Sequence, residues 1–301
     1  MTNGKWQAGM FNFGDVEILR VEESLGRGFR PKTLLPDWNA AEIAPHLSWL
    51  TPTYYDPLSD RIVASVHSWV LKTRHHTILI DTCVGNHKER PDLKGFHMLN
   101  QPYLENLANA GLQPEDIDYV LCTHLHVDHV GWNTRLDSGR WVPTFPNAKY
   151  VFSKTDRDYF DPARGEGGRD EAHARVFNDS VLPILEGKQE MLVDGATALG
   201  DDLTIEPAPG HSPGHVLIAL ASQGAEALFT GDIMHHPIQI HYPGWSSSFC
   251  SDPEEARQTR RRLLERAATR GSVLYPAHFA GPHIGRVAEV AGGFVYVAGR
   301  G

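Results

Sequence analysis

Four side chains of the types that bind metal ions lie within six residues, in the segment His124-Leu125-His126-Val127-Asp128-His129. In an extended backbone, alternate side chains lie on the same face, so His124 and His126 can point at one centre. Asp128 and His129 then fall where a second centre could lie. Neutral imidazoles and carboxylates suit zinc, and also iron or manganese. The segment therefore predicts a metal site with room for two ions.

The elements that would position these residues are short apolar runs. Tyr119–Cys122 comes directly before the motif and predicts a buried strand, which places the motif at the carboxyl end of that strand. Other histidines and aspartates lie beside strand-like runs in the same way: Asp81 after Thr77–Ile80, His211 and His215 before Val216–Ala221, Asp232 after Ala225–Thr230, and His278 after Val273–Tyr275.

The pattern His-x-His-x-Asp-His after a strand resembles the metallo-β-lactamase-fold hydrolases, and the other motifs follow in the order expected of that superfamily. The resemblance implies an α/β fold, a four-layer αβ/βα sandwich with two mixed sheets between outer helices. It implies a single domain over residues 1–301, in which residues 1–60 form an N-terminal strand and an aromatic cap or lid. Within the superfamily, the chain is most similar to the N-acyl-homoserine-lactonase-like and methyl-parathion-hydrolase-like branches.

The resemblance also implies a ligand set for two divalent metal ions. His124, His126 and His211 would hold the first ion, and Asp128, His129 and His278 the second. Asp232 would bridge them, while Asp81 and His215 would support the ligands from outside. Zinc is the leading metal, and iron, cobalt and manganese are alternatives that such a set also accepts.

We expect such a centre to hydrolyse ester bonds, with lactones as the leading substrate class. A hydroxide bridging the two ions would attack the carbonyl carbon, and Asp128 could shuttle a proton. The lactonase branch has a tyrosine three residues after the bridging aspartate, where it can hydrogen-bond the lactone. That position is His235 here, so we assign it the same contact. The predicted catalytic residues are therefore Asp128, Asp232 and His235.

Other activities share this ligand set or part of it. Glyoxalase II-like thioester hydrolysis, phosphotriester hydrolysis and aryl ester hydrolysis need the same residues. A persulfide dioxygenase-like protein with a single iron would leave some of the seven positions unused. A purely structural metal fits less well, since structural zinc sites are closed and rich in cysteine.

Composition narrows the choice of partners. A formal net charge of −9 gives no basic field for nucleic acid, which disfavours an RNase Z-like nuclease. No apolar segment approaches the 18 residues that a membrane span needs, and Met1–Gln7 holds no apolar stretch typical of an export signal. The three cysteines lack CxxC spacing, so we expect free thiols and a cytoplasmic location. A small-molecule substrate is the expected partner, and exposed aromatics near the N-terminus suggest a homodimer.

Weaker patterns predict the remaining elements. Gly26–Pro57 is expected to be a long irregular stretch, and a loop should follow Gly131. Residues 153–187 read as outer helices without chemistry of their own. Ile233–Phe249 reads as irregular, with His236 and His241 as packing or surface residues. A helix should begin after Asp252, where a capping residue, a proline and two acids precede an apolar stripe.

Overall fold

The computed structural model of the chain describes residues 9–200 and 202–299. The expectation about an export signal concerns Met1–Gln7, which lies outside the described residues. The strands, in chain order, are β1 (Gly9–Phe13), β2 (Val16–Arg27), β3 (Tyr55–Asp56), β4 (Arg61–Lys72), β5 (Thr77–Ile80), β6 (Tyr119–Leu121), β7 (Thr134–Asp137), β8 (Arg140–Pro143), β9 (Lys149–Ser153), β10 (Glu190–Val193), β11 (Thr197–Leu199), β12 (Leu203–Pro207), β13 (Val216–Ser222), β14 (Ala225–Gly231), β15 (Val273–Pro276), β16 (Gly285–Val290) and β17 (Gly293–Ala298).

The helices are mostly short. In chain order they are α1 (Pro31–Leu34), α2 (Ala40–Ile43), α3 (Leu47–Leu50), α4 (Tyr103–Asn109), α5 (Lys154–Phe160), α6 (Glu171–Ser180), α7 (Leu182–Glu186), α8 (Ile238–His241) and α9 (Pro253–Arg270). Among the residues that the structure describes, no helix is both long enough and apolar enough to cross a membrane.

Two compact units divide the chain between them. The first takes in Met1–Ser24 and Val66–Val193, and the second Leu25–Ser65 and Asp194–Arg300. This division into two compact units does not test whether the chain is one domain, so a single domain over residues 1–301 stays a prediction. Each unit has its own core, and each supplies part of the predicted ligand set.

The first unit is built on a mixed sheet with the strand order β1-β2-β4-β5-β6-β9-β10. The short strand β3 pairs with the first residues of β4, and these residues belong to the second unit. Strands β5, β6, β9 and β10 run parallel, whereas β1 with β2 and β4 with β5 are antiparallel. Apolar side chains of the strands and of α4, α6 and α7 form its core, including Val120, Leu107 and Val176. Because parallel strands end at the same edge, the residues after β5 and after β6 come together.

A buried ion cluster fixes the loop after β5 within the first unit. The Lys88 side chain is fully buried and donates to Thr134 Oγ1 at 2.9 Å. The Arg90 guanidinium makes two hydrogen bonds of 2.7 and 2.8 Å to the carboxylate of Asp179 on α6. Burial lowers the pKa of Lys88 to about 8, although the Asp179 carboxylate opposes that shift.

The second unit holds a seven-stranded mixed sheet in sequential order from β11 to β17. All its neighbours are antiparallel except β14 and β15, which run parallel. Helix α9 begins as the sequence predicts: Asp252 Oδ1 accepts the amide N–H groups of Glu254 and Glu255 at 3.0 Å each. It ends at Gly271, whose φ of 64° is left-handed. Leu264 of α9 packs in the core of this unit.

Several elements differ from the expectation. Gly26–Pro57 holds helices α1, α2 and α3, and their buried residues pack with Ile238 and Trp245 of the same unit. The residues after Gly131 form the hairpin of β7 and β8, and α8 lies inside the stretch expected to be irregular. A four-residue helix is about one turn, too short to show a 3.6-residue period, so tertiary packing determines it.

Candidate metal centre

Asp81 organises the loop that carries the histidine motif in the first unit. Its Oδ1 accepts the amide of Thr123 at 2.7 Å, and its Oδ2 accepts the Thr123 hydroxyl at 2.8 Å. His129 Nδ1 lies 2.9 Å from the same Oδ2, which orients the imidazole so that Nε2 points away from Asp81. Asp81 itself has a φ of 57°, a conformation that non-glycine residues rarely adopt. The carboxylate therefore acts as a hub for the motif, at a cost in backbone strain.

Gly131 closes the motif where two loops approach closely. Its amide donates to the carbonyl of Cys83 at 2.7 Å. A Cβ at this position would lie 1.9 Å from the carbonyl carbon and oxygen of Val84, so no larger residue fits without moving the backbone. The glycine thus lets the loop after β5 and the loop after β6 lie against each other.

The four motif residues form two adjacent pairs. His124 Nε2 lies 3.1 Å from His126 Nδ1, and His129 Nε2 lies 3.7 Å from Asp128 Oδ1. The rings of His124 and His129 have centroids 4.0 Å apart. Both of these histidines are almost fully buried, whereas His126 and Asp128 are partly exposed. The division of these residues between two metal centres stays a prediction.

Asp232 is the centre of the cluster in the second unit. Its Oδ2 lies 3.2 Å from His211 Nε2 and 3.1 Å from His235 Nε2, while its Oδ1 lies 3.0 Å from His278 Nε2. All four side chains are buried. The donor atoms of His211, Asp232 and His235 all lie within 4.8 Å of one another, a spacing that could hold a metal ion.

Neighbouring groups hold this cluster in place. His215 Nε2 accepts the amide of Asp232 at 3.0 Å, so His215 holds the backbone that carries this carboxylate. His278 Nδ1 lies 3.0 Å from the carbonyl oxygen of Ser65, and His211 Nδ1 lies 3.7 Å from Cys250 Sγ. In His211 and His278, a neighbouring group holds the Nδ1 atom, and this fixes the direction in which Nε2 points at Asp232.

The segment after Asp232 is fixed by a buried arginine. Arg260 of α9 is fully buried and donates through Nε to the Ile233 carbonyl at 2.9 Å and through Nη1 to the Pro243 carbonyl at 2.7 Å. Both ends of the segment that carries His235 are therefore tied to one helix. Burial lowers the pKa of Arg260 to about 10, so it keeps its charge near neutral pH.

The electrostatics of the cluster in the second unit favour a cation. Burial lowers the pKa of His211, but the Asp232 carboxylate raises it more, to about 9. Burial lowers the pKa of His235 to about 4, so its imidazole stays neutral with a lone pair available. A buried carboxylate surrounded by imidazole nitrogens attracts positive charge, and a divalent metal ion can supply it. The donor set of this cluster therefore fits a divalent cation.

Glu23 is a buried residue of the first unit that sequence reasoning missed. Its carboxyl oxygens accept the amides of Val84 and Gly85 at 3.0 Å each and the Trp132 indole N–H at 2.7 Å. Burial raises the pKa of Glu23 to about 7, with a smaller contribution from the negative charge of Asp128. Glu23 lies on β2, far from the motif in sequence, and no spacing signal could have identified it.

Three other neighbours of the histidines were also missed. Cys250 and Ser65 contact ring nitrogens of His211 and His278, as described above. His173 on α6 stacks on His126 with ring centroids 5.8 Å apart, although this segment was expected to have no part in the chemistry. Each contact joins residues that are distant in sequence.

An α/β fold with histidines and aspartates gathered after strand ends defines a protein that can bind metal ions. The chain belongs to the metallo-beta-lactamase superfamily, whose family model matches residues 61–278. The chain is 25% identical to an N-acyl homoserine lactonase of Bacillus thuringiensis over 173 residues. It is 31% identical over 123 residues to the N-acyl homoserine lactonase AttM of Agrobacterium fabrum. These matches cover 57% and 38% of this chain, and 60% and 40% of the relatives.

Solved structures show the same fold over nearly the whole chain. A hydrolase of the beta-lactamase superfamily named AbOPH matches with a TM-score of 0.82 at 22% identity, over 98% of both chains. AidC, described as a dizinc quorum-quenching lactonase, matches with a TM-score of 0.77 at 21% identity, again over 98% of both chains. At these identities the likeness shows the fold alone, and it confirms the predicted metallo-β-lactamase fold with its mixed sheets.

Proposed function

We propose that this chain is a metal-dependent hydrolase with two divalent cations, and that it opens lactones. The observation that carries the proposal is the way Asp232 presents its two oxygens. Oδ2 faces His211 and His235, and Oδ1 faces His278. A carboxylate that serves two cations needs each oxygen to face a different group of ligands, so this arrangement supports Asp232 as the bridge.

The predicted ligand assignment is part of this proposal. His124, His126 and His211 are assigned to one cation, Asp128, His129 and His278 to the other, and Asp232 to both. When bound, such cations lower the pKa of a water molecule to about 7 and polarise a carbonyl oxygen.

The protein's own groups orient the ligands and handle protons. Asp81 and the Ser65 carbonyl hold the outer nitrogens of His129 and His278, so the Nε2 atoms keep a fixed direction. The carboxylate of Asp128 is partly exposed, with 17% of its side chain accessible. It can therefore take a proton at an oxygen atom and pass it to solvent during ester cleavage.

Lactones are the proposed substrate class because the curated relatives quoted above are named N-acyl homoserine lactonases. The chain spans about 40% to 60% of the length of these relatives. Thioesters, phosphotriesters and aryl esters need the same residues and are the competing substrates. A single-iron dioxygenase remains the competing reaction.

The test is acid release, followed with a pH indicator, from metal-replete protein. The panel holds N-acyl homoserine lactones of several chain lengths, simple lactones, an aryl ester, a thioester, a phosphotriester and a β-lactam. Each assay is repeated with a chelator. His211→Ala removes a proposed ligand, and His75→Ala, which removes an exposed turn histidine, is the matched control.

We expect chelator-sensitive release that favours lactones by a hundredfold or more, retained in His75→Ala and lost in His211→Ala. Turnover of a thioester or phosphotriester alone would contradict lactones as the substrate class but would still support the proposed metal centre. Silence across the panel with a single bound iron would replace the reaction class.

Elemental analysis of the purified protein tests the metal. We propose zinc, and a preparation that retains iron, cobalt or manganese instead would overturn that choice. The homodimer and the cytoplasmic location stay predictions. A monomeric mass in light scattering would exclude the dimer, and cell fractionation checks the location.

A further inference from the structure

The His235 side chain contacts the proposed metal ligands directly, which a residue that only binds substrate does not need to do. Its Nε2 is 3.1 Å from Asp232 Oδ2, the same oxygen that faces His211 Nε2 at 3.2 Å. Its ring lies parallel to that of His278, with centroids 5.8 Å apart, and edge-on to that of His211 at 4.9 Å. His235 is therefore held between two side chains that are both assigned to metal.

These distances have the size expected for donors that share a cation. Two ligand atoms about 2.0–2.1 Å from one ion, at angles of about 90° to 110°, lie about 2.9–3.4 Å apart. His211 Nε2 and His235 Nε2 both lie in this range from Asp232 Oδ2. The ligand atoms of the two histidines lie within 4.8 Å of each other, so the three residues of the second unit form a group that could hold an ion.

The polar contacts of the His235 side chain point the same way. The residue is 6% exposed, and Nδ1 has no hydrogen-bond partner among the described residues. Its ring therefore makes its one polar contact through Nε2, on the side of the cluster. Burying an imidazole costs free energy. A bond to a cation would offset this cost more fully than a hydrogen bond to an oxygen that already faces His211.

The backbone of His235 is fixed before any ion binds. Gln239 is fully buried, and its Oε1 accepts the amides of His235 at 2.7 Å and His236 at 3.2 Å. Its Nε2 donates to the Trp245 carbonyl at 2.9 Å. Rotating the side-chain amide by 180° would place its NH2 group against the two backbone N–H groups, so its orientation is fixed. A ligand on such a rigid turn loses little freedom on coordination.

We propose that His235 is a metal ligand, through Nε2, to the cation on the Oδ2 side of Asp232. This assignment replaces the substrate contact expected from the sequence, and it rests on the metal binding in the proposed function. It leaves that cation one position fewer for water or substrate.

The test measures metal binding on the full-length protein loaded with Co²⁺. His235→Ala is compared with His236→Ala, which removes a neighbouring buried imidazole that contacts the Tyr54 carbonyl. Loss of an outer contact to a ligand costs 10-fold to 100-fold in metal affinity, so loss of His235 should weaken one of two sites at least about tenfold. The visible Co²⁺ band should change in His235→Ala and stay unchanged in His236→Ala.

A measurement on the wild-type protein removes any dependence on folding of the variant. With ¹¹³Cd²⁺ bound and histidine labelled with ¹⁵N, each coordinated imidazole nitrogen shows a one-bond coupling. We expect one coupled nitrogen more than the predicted ligand set supplies, and its absence would overturn the proposal. Wild-type affinity and an unchanged Co²⁺ band in folded His235→Ala would overturn it too. Failure of the wild-type protein to bind any cation would instead overturn the proposed function.

Discussion

Glu23 gives the stability of this protein a dependence on pH that one substitution should remove. Its pKa is raised from 4.5 to about 7 because burial disfavours the charged form more than its three hydrogen bonds favour it. The folded protein therefore holds a proton on Glu23 at a pH where the unfolded chain has lost it. This contribution to stability is fully present below pH 4.5 and is lost as the pH rises through 7.

The size of the effect follows from the shift. A change from 4.5 to about 7 corresponds to about 3.4 kcal/mol over the whole titration. Between pH 5 and pH 8, the part of the titration that is easily reached, the contribution should fall by about 2.5 kcal/mol. Because Glu23 is almost fully buried, solvent screens little of this.

The assay is urea unfolding of the wild type and of Glu23→Gln at pH 5 and pH 8. The glutamine cannot ionise, so the wild type should lose about 2.5 kcal/mol more than the variant between these pH values. Contributions from histidines and aspartates present in both proteins cancel in the subtraction. Glu105→Gln, which changes an exposed residue of α4, is the matched control.

Equal pH dependence in the wild type and Glu23→Gln would refute the reasoning, since it would mean that Glu23 is ionised in the folded protein at pH 5. A pH dependence that changes equally in Glu105→Gln would also refute it, because the effect would then come from net charge and not from burial.

Three further predictions follow from the same contacts. Gly131→Ala should lower the free energy of unfolding by about 3 kcal/mol or more, because its Cβ would overlap the Val84 carbonyl. Gly95→Ala, where a Cβ meets nothing within 4 Å, should change it by less than about 0.5 kcal/mol, and equal losses in urea unfolding would contradict the packing argument. Asp232→Asn should reduce chelator-sensitive turnover by orders of magnitude, since a neutral amide offers one oxygen atom where the two proposed cations need two. A wild-type rate with two metals bound would defeat the bridging role. Arg260→Met should cost about 2–4 kcal/mol through the loss of two charged hydrogen bonds to carbonyls. An unchanged urea midpoint would show that burying the charge cancels them.

Sequence reasoning succeeded where the pattern is local. The strand before the motif at residues 124–129 and the strands β13 and β14 carry their own apolar pattern, whereas the ligand roles assigned to the motif stay a prediction. Helix α9 carries a cap, a first-turn proline and a glycine stop. The predicted family is shown, and the fold with its mixed sheets is confirmed.

The sequence failed where a long-range contact determines the structure. Glu23 is an ordinary glutamate in an apolar strand until Val84, Gly85 and Trp132 surround it. The substrate contact assigned to His235 by analogy with a tyrosine stays a prediction, although spacing alone could not show that its ring lies between those of His211 and His278. Helices α1 to α3 are similar, since they form on a packed surface and not from their own propensity.

The contact between Cys250 and His211 has a practical consequence for anyone who purifies the protein. Cys83 and Cys122 are buried, whereas Cys250 is partly exposed. A thiol reagent added to the native protein should therefore react with Cys250, whose Sγ contacts the proposed ligand His211. The proposed ligation of a metal ion by His211 should change the rate at which Cys250 is labelled, so this rate would report on metal loading without any substrate. In preparations stored without reductant, oxidation of Cys250 is expected to weaken metal binding first at the proposed ligand His211.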